Sequence, residues 1–206
     1  MNQSEILNHL VVNYPNLIDV SFPIPSPHPD LSLIDPKSIK AIILGADPTH
    51  IVNGNPVEIK KVFGLDLKYS PYWNGINNNI KQVVGLSVAN VYVQNVCRNY
   101  FKCETSQNKD WVTIARKYWI PFLKAELNEK FDKSIPIFIT TEFILSAALN
   151  NPAKKIIASE LYANCKSIEK DDNLFEREII PFYRHFKYNL KNWPEYNMFL
   201  KSKINS

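Results

Sequence analysis

Two rhythms of apolar and polar positions alternate along this chain. Residues 39–45, Ile39-Lys40-Ala41-Ile42-Ile43-Leu44-Gly45, form a short, nearly continuous apolar run closed by glycine. A run of that length without polar alternation predicts a strand buried on both faces, as in a parallel sheet. Residues 88–96 and 135–140 repeat the pattern, and Pro136 is tolerable at the start of a strand. Residues 178–182 predict another strand or extended segment, and residues 155–158 a short strand. Elsewhere the apolar spacing lengthens to three and four. Residues 76–86 predict a helix. From Trp111 onward, Ile114, Ala115, Tyr118, Trp119, Phe122, Leu123 and Leu127 mark one long amphipathic helix, which Pro121 should kink. Residues 141–149 predict the next helix. Ile6, Leu7, Leu10 and Val11 define one face of a helix within residues 1–14. Asn192-Trp193-Pro194-Glu195 carries a helix-start signature, a capping side chain followed by proline and then glutamate, for a last helix ending near Ser202.

Strands that alternate with helices predict the α/β class, here a three-layer α/β/α sandwich around a central, mainly parallel, four-stranded sheet. A length of 206 residues fits a single domain. Within it, residues 1–38 read as an N-terminal helix and a proline-rich wrap, and residues 39–206 as the core. Pro23, Pro25, Pro27, Pro29 and Pro36 are too dense for a helix or a central strand, so this segment should run extended over the surface.

Composition narrows the function classes. With 45% hydrophobic and 21% charged residues the chain is globular, not disordered. A net charge of +4 permits a polyanionic partner without requiring one. The three cysteines, Cys97, Cys103 and Cys165, form neither a disulfide framework nor a CxxC pair. Reduced thiols are expected, with no zinc or iron–sulfur site. No GxGxxG, GxxxxGK[ST] or GxSxG motif occurs, and the histidines lack metal-ligand spacing. These absences predict no cofactor and no metal. No apolar stretch is long enough for a membrane span and the N-terminus does not resemble a signal peptide. Those readings predict no membrane partner and a cytoplasmic location, or a nuclear one in a host that has a nucleus.

The chemistry concentrates where the first strand ends. Open α/β sheets place their sites just past the C-terminal ends of strands, and Ala46-Asp47-Pro48-Thr49-His50 follows Gly45 directly. Asp47 can be read as a turn or helix cap, as Asp-Pro pairs often are. It can also be read as a carboxylate that orients and deprotonates water.

The stretch Leu44-Gly45-Ala46-Asp47-Pro48-Thr49-His50 resembles the water-activating motif of uracil-DNA glycosylases, usually written GQDPYH. Further pieces follow in that family's order. Gly64-Leu65-Asp66-Leu67-Lys68-Tyr69-Ser70 looks like the glycine-led segment that supplies a stacking aromatic. Residues 74–80 look like its polar helix entry, and Tyr92-Val93-Gln94-Asn95 like the strand ending in a base-reading asparagine. Pro181-Phe182-Tyr183-Arg184-His185 falls where the family carries its histidine loop. The departures are Ala46 for the glutamine, Thr49 for a tyrosine whose bulk helps exclude thymine, and Phe186-Lys187-Tyr188 after the histidine.

This resemblance implies a monomer that flips a damaged base, uracil first among them, out of DNA and hydrolyses its glycosidic bond. It implies Asp47 as the water-positioning group and His185 as the donor to the leaving base, with His50 as a rival. Gly45, Ala46, Thr49 and Asn95 would line the base, Asn95 reading its edge, although it also reads as an ordinary strand-closing residue. Tyr69 would stack on the base, with Phe63 as the alternative. Ser70, Asn74, Arg184, Lys187 and Tyr188 would meet DNA, the last, or Leu190, as a wedge. Two other readings remain open. One is a base- or nucleic-acid-binding module of the same fold without turnover, and the other is a hydrolase of small nucleosides.

Overall fold

The computed structural model of the chain describes residues 1–52, 54–68, 70–154 and 156–205. Its strands, in chain order, are β1 (Ile18–Asp19), β2 (Ala41–Gly45), β3 (Ile51–Val52), β4 (Asn55–Pro56), β5 (Val91–Asn95), β6 (Tyr100–Phe101), β7 (Ile137–Ile139) and β8 (Ile179–Pro181). The central sheet has the order β5-β2-β7-β8 with every pairing parallel. Every residue of these four strands is buried. Successive side chains point to opposite faces, so both faces are covered, which is why the strands read as continuous apolar runs.

The helices are α1 (Gln3–Asn13), α2 (Pro71–Ile80), α3 (Trp111–Ile114), α4 (Ile120–Lys130), α5 (Glu142–Ala148), α6 (Ala158–Ala163) and α7 (Pro194–Asn205). Together with the sheet they make the expected α/β sandwich. Among the described residues, no helix is long and apolar enough to cross a membrane. The cysteines are free thiols.

Several boundaries differ from the sequence expectation, each for a local reason. The helix expected over residues 76–86 is α2, which starts earlier because Ser70 accepts from Trp73 N–H and Pro71 occupies its first position. The second strand begins at Val91, after a 3-10 turn over Val88–Asn90. No strand forms over residues 156–158, and Ala158 opens α6 instead. The neighbouring edge of β8 is taken by Ile168, which exchanges two backbone hydrogen bonds with Ile179. Lys155, the first residue of that expected strand, lies outside the described residues. Val11 is exposed, and α1 buries only Ile6 and Leu10. The last helix starts at Pro194 as expected and runs to Asn205.

Pro121 does not simply kink the long helix. α3 and α4 are joined by π turns over Ala115–Trp119. A proline has no N–H and its ring collides with the carbonyl one turn back. The wider π turn, placed just before Pro121, removes that collision. The proline-rich segment wraps the sheet edge: His28 and Val93 exchange backbone hydrogen bonds of 3.1 and 2.6 Å, so the otherwise open side of β5 is covered.

Candidate active site

In a parallel sheet all strands end at the same edge, and β2 is flanked by β5 on one side and β7 on the other. The chain therefore leaves β2 one way and β7 the other. That switch point is where such sheets leave a crevice. A cavity of about 390 Å³ lies there. Each strand of the sheet sends a polar residue to its wall from its C-terminal end: Asp47 after β2, Asn95 from β5, Thr141 after β7 and Arg184 after β8.

Asp47 is half-buried and tightly held. One carboxylate oxygen accepts from Thr49 N–H at 2.9 Å. The other accepts from Thr105 Oγ1 at 2.6 Å and from Trp111 Nε1 at 2.9 Å. The Thr49 hydroxyl is a further donor to the carboxylate, so the protein itself fixes the orientation of a group that offers about four acceptor positions. Burial pushes its pKa above the ordinary carboxylate value, against the lowering effect of these hydrogen bonds. Thr49 is itself anchored, since its Oγ1 accepts from Phe101 N–H at 2.9 Å. Trp111 begins α3, so the long helix bears directly on the acid.

Gly45, paired in register with Asn95, forms the floor. A Cβ at Gly45 would lie 2.3 Å from Phe63 Cε1 and 2.5 Å from Asn95 Oδ1. Only a glycine lets the aromatic ring and the amide converge there. Asn95 is 2% exposed, and among the described residues its side-chain amide has no hydrogen-bond partner. Facing the cavity, that amide is open to a ligand that offers it a complementary donor and acceptor.

Tyr72 and Phe143 line the cavity, and so does Phe63, the ring that meets Asn95 over Gly45. The Phe63 backbone is left-handed, with φ 62°, a conformation that costs a non-glycine residue about 1–3 kcal/mol. The surrounding turn enforces it: Ser70 Oγ donates to Phe63 O at 2.7 Å, and Asp66 accepts from Lys60 N and Lys61 N at 3.0 Å each. Its ring meets Tyr72 edge-on at 5.1 Å. Tyr72 donates to Thr140 Oγ1 at 2.6 Å, because the Thr140 hydroxyl proton is committed to Leu44 O at 2.9 Å. Burial pushes the Tyr72 phenol up to about 12, so it stays protonated.

The sequence candidates divide accordingly. Gly45 sits beneath the Asn95 amide, and Ala46, Asp47, Thr49, Ser70, Asn95 and Arg184 line the cavity together with His50. Ser70 is committed to capping α2 and to Phe63. Tyr69 lies outside the described residues. Asn74 is exposed on α2, and Lys187 is exposed beyond the cavity. His185 is not part of the cavity wall. It is exposed, its Nδ1 accepts from Lys187 N–H at 3.3 Å, and its ring packs 4.3 Å from Phe186. Tyr188 and Leu190 are buried, Tyr188 against Tyr162 at 4.7 Å, which withdraws both from a wedge role. Phe186, 80% exposed, is the apolar side chain this loop presents. Sequence reading missed Thr105, Tyr72 and Phe186. Nothing in their spacing marks them, because their significance comes from contacts distant in sequence.

Among the described residues no group of three or more His, Cys, Asp or Glu is placed to hold a metal ion. No protein-family model matches the chain, and no curated protein is significantly similar to it.

Proposed function

We propose that this protein is a DNA glycosylase that hydrolyses the N-glycosidic bond of a flipped, damaged base, uracil first among them. The observation that carries the reading is one juxtaposition. An oriented carboxylate, Asp47, shares a cavity with an unpaired amide, Asn95, and an aromatic ring, Phe63. The cavity size lies within the about 300–1,000 Å³ typical of small-molecule sites.

Each group then has a task. The flipped base slides against Phe63 and offers its edge to Asn95, whose amide presents a donor and an acceptor together. Asp47 orients water, takes its proton as the oxygen closes on C1′, and stabilises the cationic sugar. Thr105 and Trp111 keep the carboxylate from turning away. Thr49, tied to β6, leaves that wall less bulky than a tyrosine would. Phe186 is placed to fill the gap in the duplex left by the base.

The test is single-turnover cleavage of uracil-containing and matched thymine-containing oligonucleotides, with Asp47→Asn alongside. Uracil release that vanishes in the variant supports the reading. DNA binding without release by the wild type makes the protein a binding module. Cleavage of free nucleosides, with no salt-dependent DNA affinity, makes it a small-nucleoside hydrolase.

A further inference from the structure

The cavity carries a cation as well as an acid, and the two are not paired. Arg184 stands just past the end of β8, with its guanidinium carbon 4.8 Å from the centroid of the Tyr72 ring. Both residues line the cavity. Stacking on the ring fixes the guanidinium plane. Among the described residues Arg184 makes no hydrogen bond and no ion pair. Its N–H groups remain available to an acceptor that enters the site.

The backbone around Arg184 is clamped on both sides. Asn79, buried in α2, donates to Tyr183 O at 3.0 Å and Tyr188 O at 3.3 Å, and accepts from Leu190 N–H at 3.0 Å. Tyr162 Oη accepts from Tyr183 N–H at 2.9 Å. Gly75 completes the seat: a Cβ there would lie 2.9 Å from Arg184 O. The helix and the loop touch backbone to backbone, so the arginine is placed before any ligand arrives. The same clamp sets the phase of the loop. Arg184, though solvent-exposed, reaches the cavity wall, and His185 caps the turn over Phe186–Tyr188.

We infer that Arg184, and not a histidine, supplies the positive charge that stabilises the departing base. This rests on the glycosylase reading above. As the C1′–N bond breaks, its electron pair passes to the base nitrogen and spreads onto the ring carbonyl oxygens. The water oxygen bonds to C1′, and its proton goes to Asp47. The base leaves as an anion and later takes its proton from Asp47 or solvent. Arginine remains charged throughout, so Arg184 acts by charge and hydrogen bonding and transfers no proton.

The test compares single-turnover release of uracil and of 5-fluorouracil, whose ring nitrogen is more acidic and which leaves more easily. Arg184→Ala should slow uracil release about 10²–10³-fold, the usual loss for one donor to a developing anion. It should slow 5-fluorouracil release less, while Arg184→Lys recovers part of the rate on both. His185→Ala and His50→Ala should each lose less than Arg184→Ala. The salt dependence of affinity for the undamaged duplex should be unchanged by Arg184→Ala. Equal losses on both bases, with the log–log salt slope reduced by about 0.9, would make Arg184 a phosphate contact and overturn the inference. So would no loss, or a larger, leaving-group-dependent loss from either histidine variant. Arg184→Gln, which keeps the bulk, repeats the comparison if the alanine variant melts early. A wild type that releases neither base ends the glycosylase reading and this inference together, and that is read before any variant is made.

Discussion

Arg177 and Arg184 flank the same short strand, β8, and the protein treats them in opposite ways. Arg177, at the N-terminal edge of the sheet, is 1% exposed. Its guanidinium donates to Leu127 O at 3.1 Å, Phe131 O at 2.9 Å, Asn128 Oδ1 at 3.1 Å, Ile135 O at 3.3 Å and Asp132 O. These are the carbonyls left over at the end of α4 and in the turn after it, where a cation is favoured. Arg184, at the C-terminal edge, stacks on Tyr72 and binds nothing else among the described residues. At the N-terminal edge the protein's own groups meet both terminal nitrogens of the guanidinium, and only its buried Nε has no partner among the described residues. The C-terminal edge holds an arginine and an amide with capacity to spare beside an oriented carboxylate, and unfilled capacity on rigid supports is what a ligand site requires.

The contrast is sharpest in what each edge loses on substitution. Asp47→Asn should reduce single-turnover base release by about 10²–10⁴-fold, the range for a general base, and leave urea-induced unfolding nearly unchanged. A variant that unfolds but retains its specific rate would place Asp47 with the structural groups. Arg177→Ala should do the reverse. It strands several buried carbonyls at about 1–3 kcal/mol for an unsatisfied group, so a loss of about 3 kcal/mol or more is expected in urea denaturation. Arg184→Ala, in the same measurement, should cost less than about 1 kcal/mol. Similar stability losses for the two arginines would erase the distinction between the edges.

Gly45→Ala probes the floor of the cavity. Its methyl group would meet Phe63 and Asn95 at 2.3 and 2.5 Å, an overpacking expected to cost about 1–3 kcal/mol and to raise KM as the base seat is forced open. Unchanged KM would mean that the base does not lie against that pair.

The smallest effect is in pH. The working form of Asp47 is the carboxylate, and burial raises its pKa above the ordinary 3.8. Activity should therefore fall on acidification through an apparent value above 3.8, and the residual rate of Asp47→Asn should lack that limb. The stability term has the opposite sense. A raised folded value favours the fold most below the unfolded value, and this contribution is lost as pH rises through the folded one. Asp47→Asn should flatten that part of the stability–pH curve.

How much of this was written locally can be argued residue by residue. The run 39–45 announced a buried strand, and the switch from apolar to polar at Ala46-Asp47 located the site, because a parallel strand and its end both leave a local pattern. The same holds for the helix start at Pro194. Phe63 could not be singled out by spacing, since its place depends on a left-handed backbone that the sequence does not mark. Arg184 and His185 are adjacent in an irregular loop, where no period says which side chain reaches the cavity.

The sequence by itself determined the alternation of strands and helices, the parallel sheet and the acid at the end of β2, all consequences of short-range hydrophobic period and chain punctuation. Tertiary structure decided what surrounds that acid. Thr105 and Trp111 on one side, Asn95 and Phe63 below, and the Asn79 and Gly75 clamp that sets Arg184, not His185, at the cavity wall reach the site from distant segments. Hydrogen bonds and close packing between such segments depend on where the whole fold places them, and no local pattern encodes that placement.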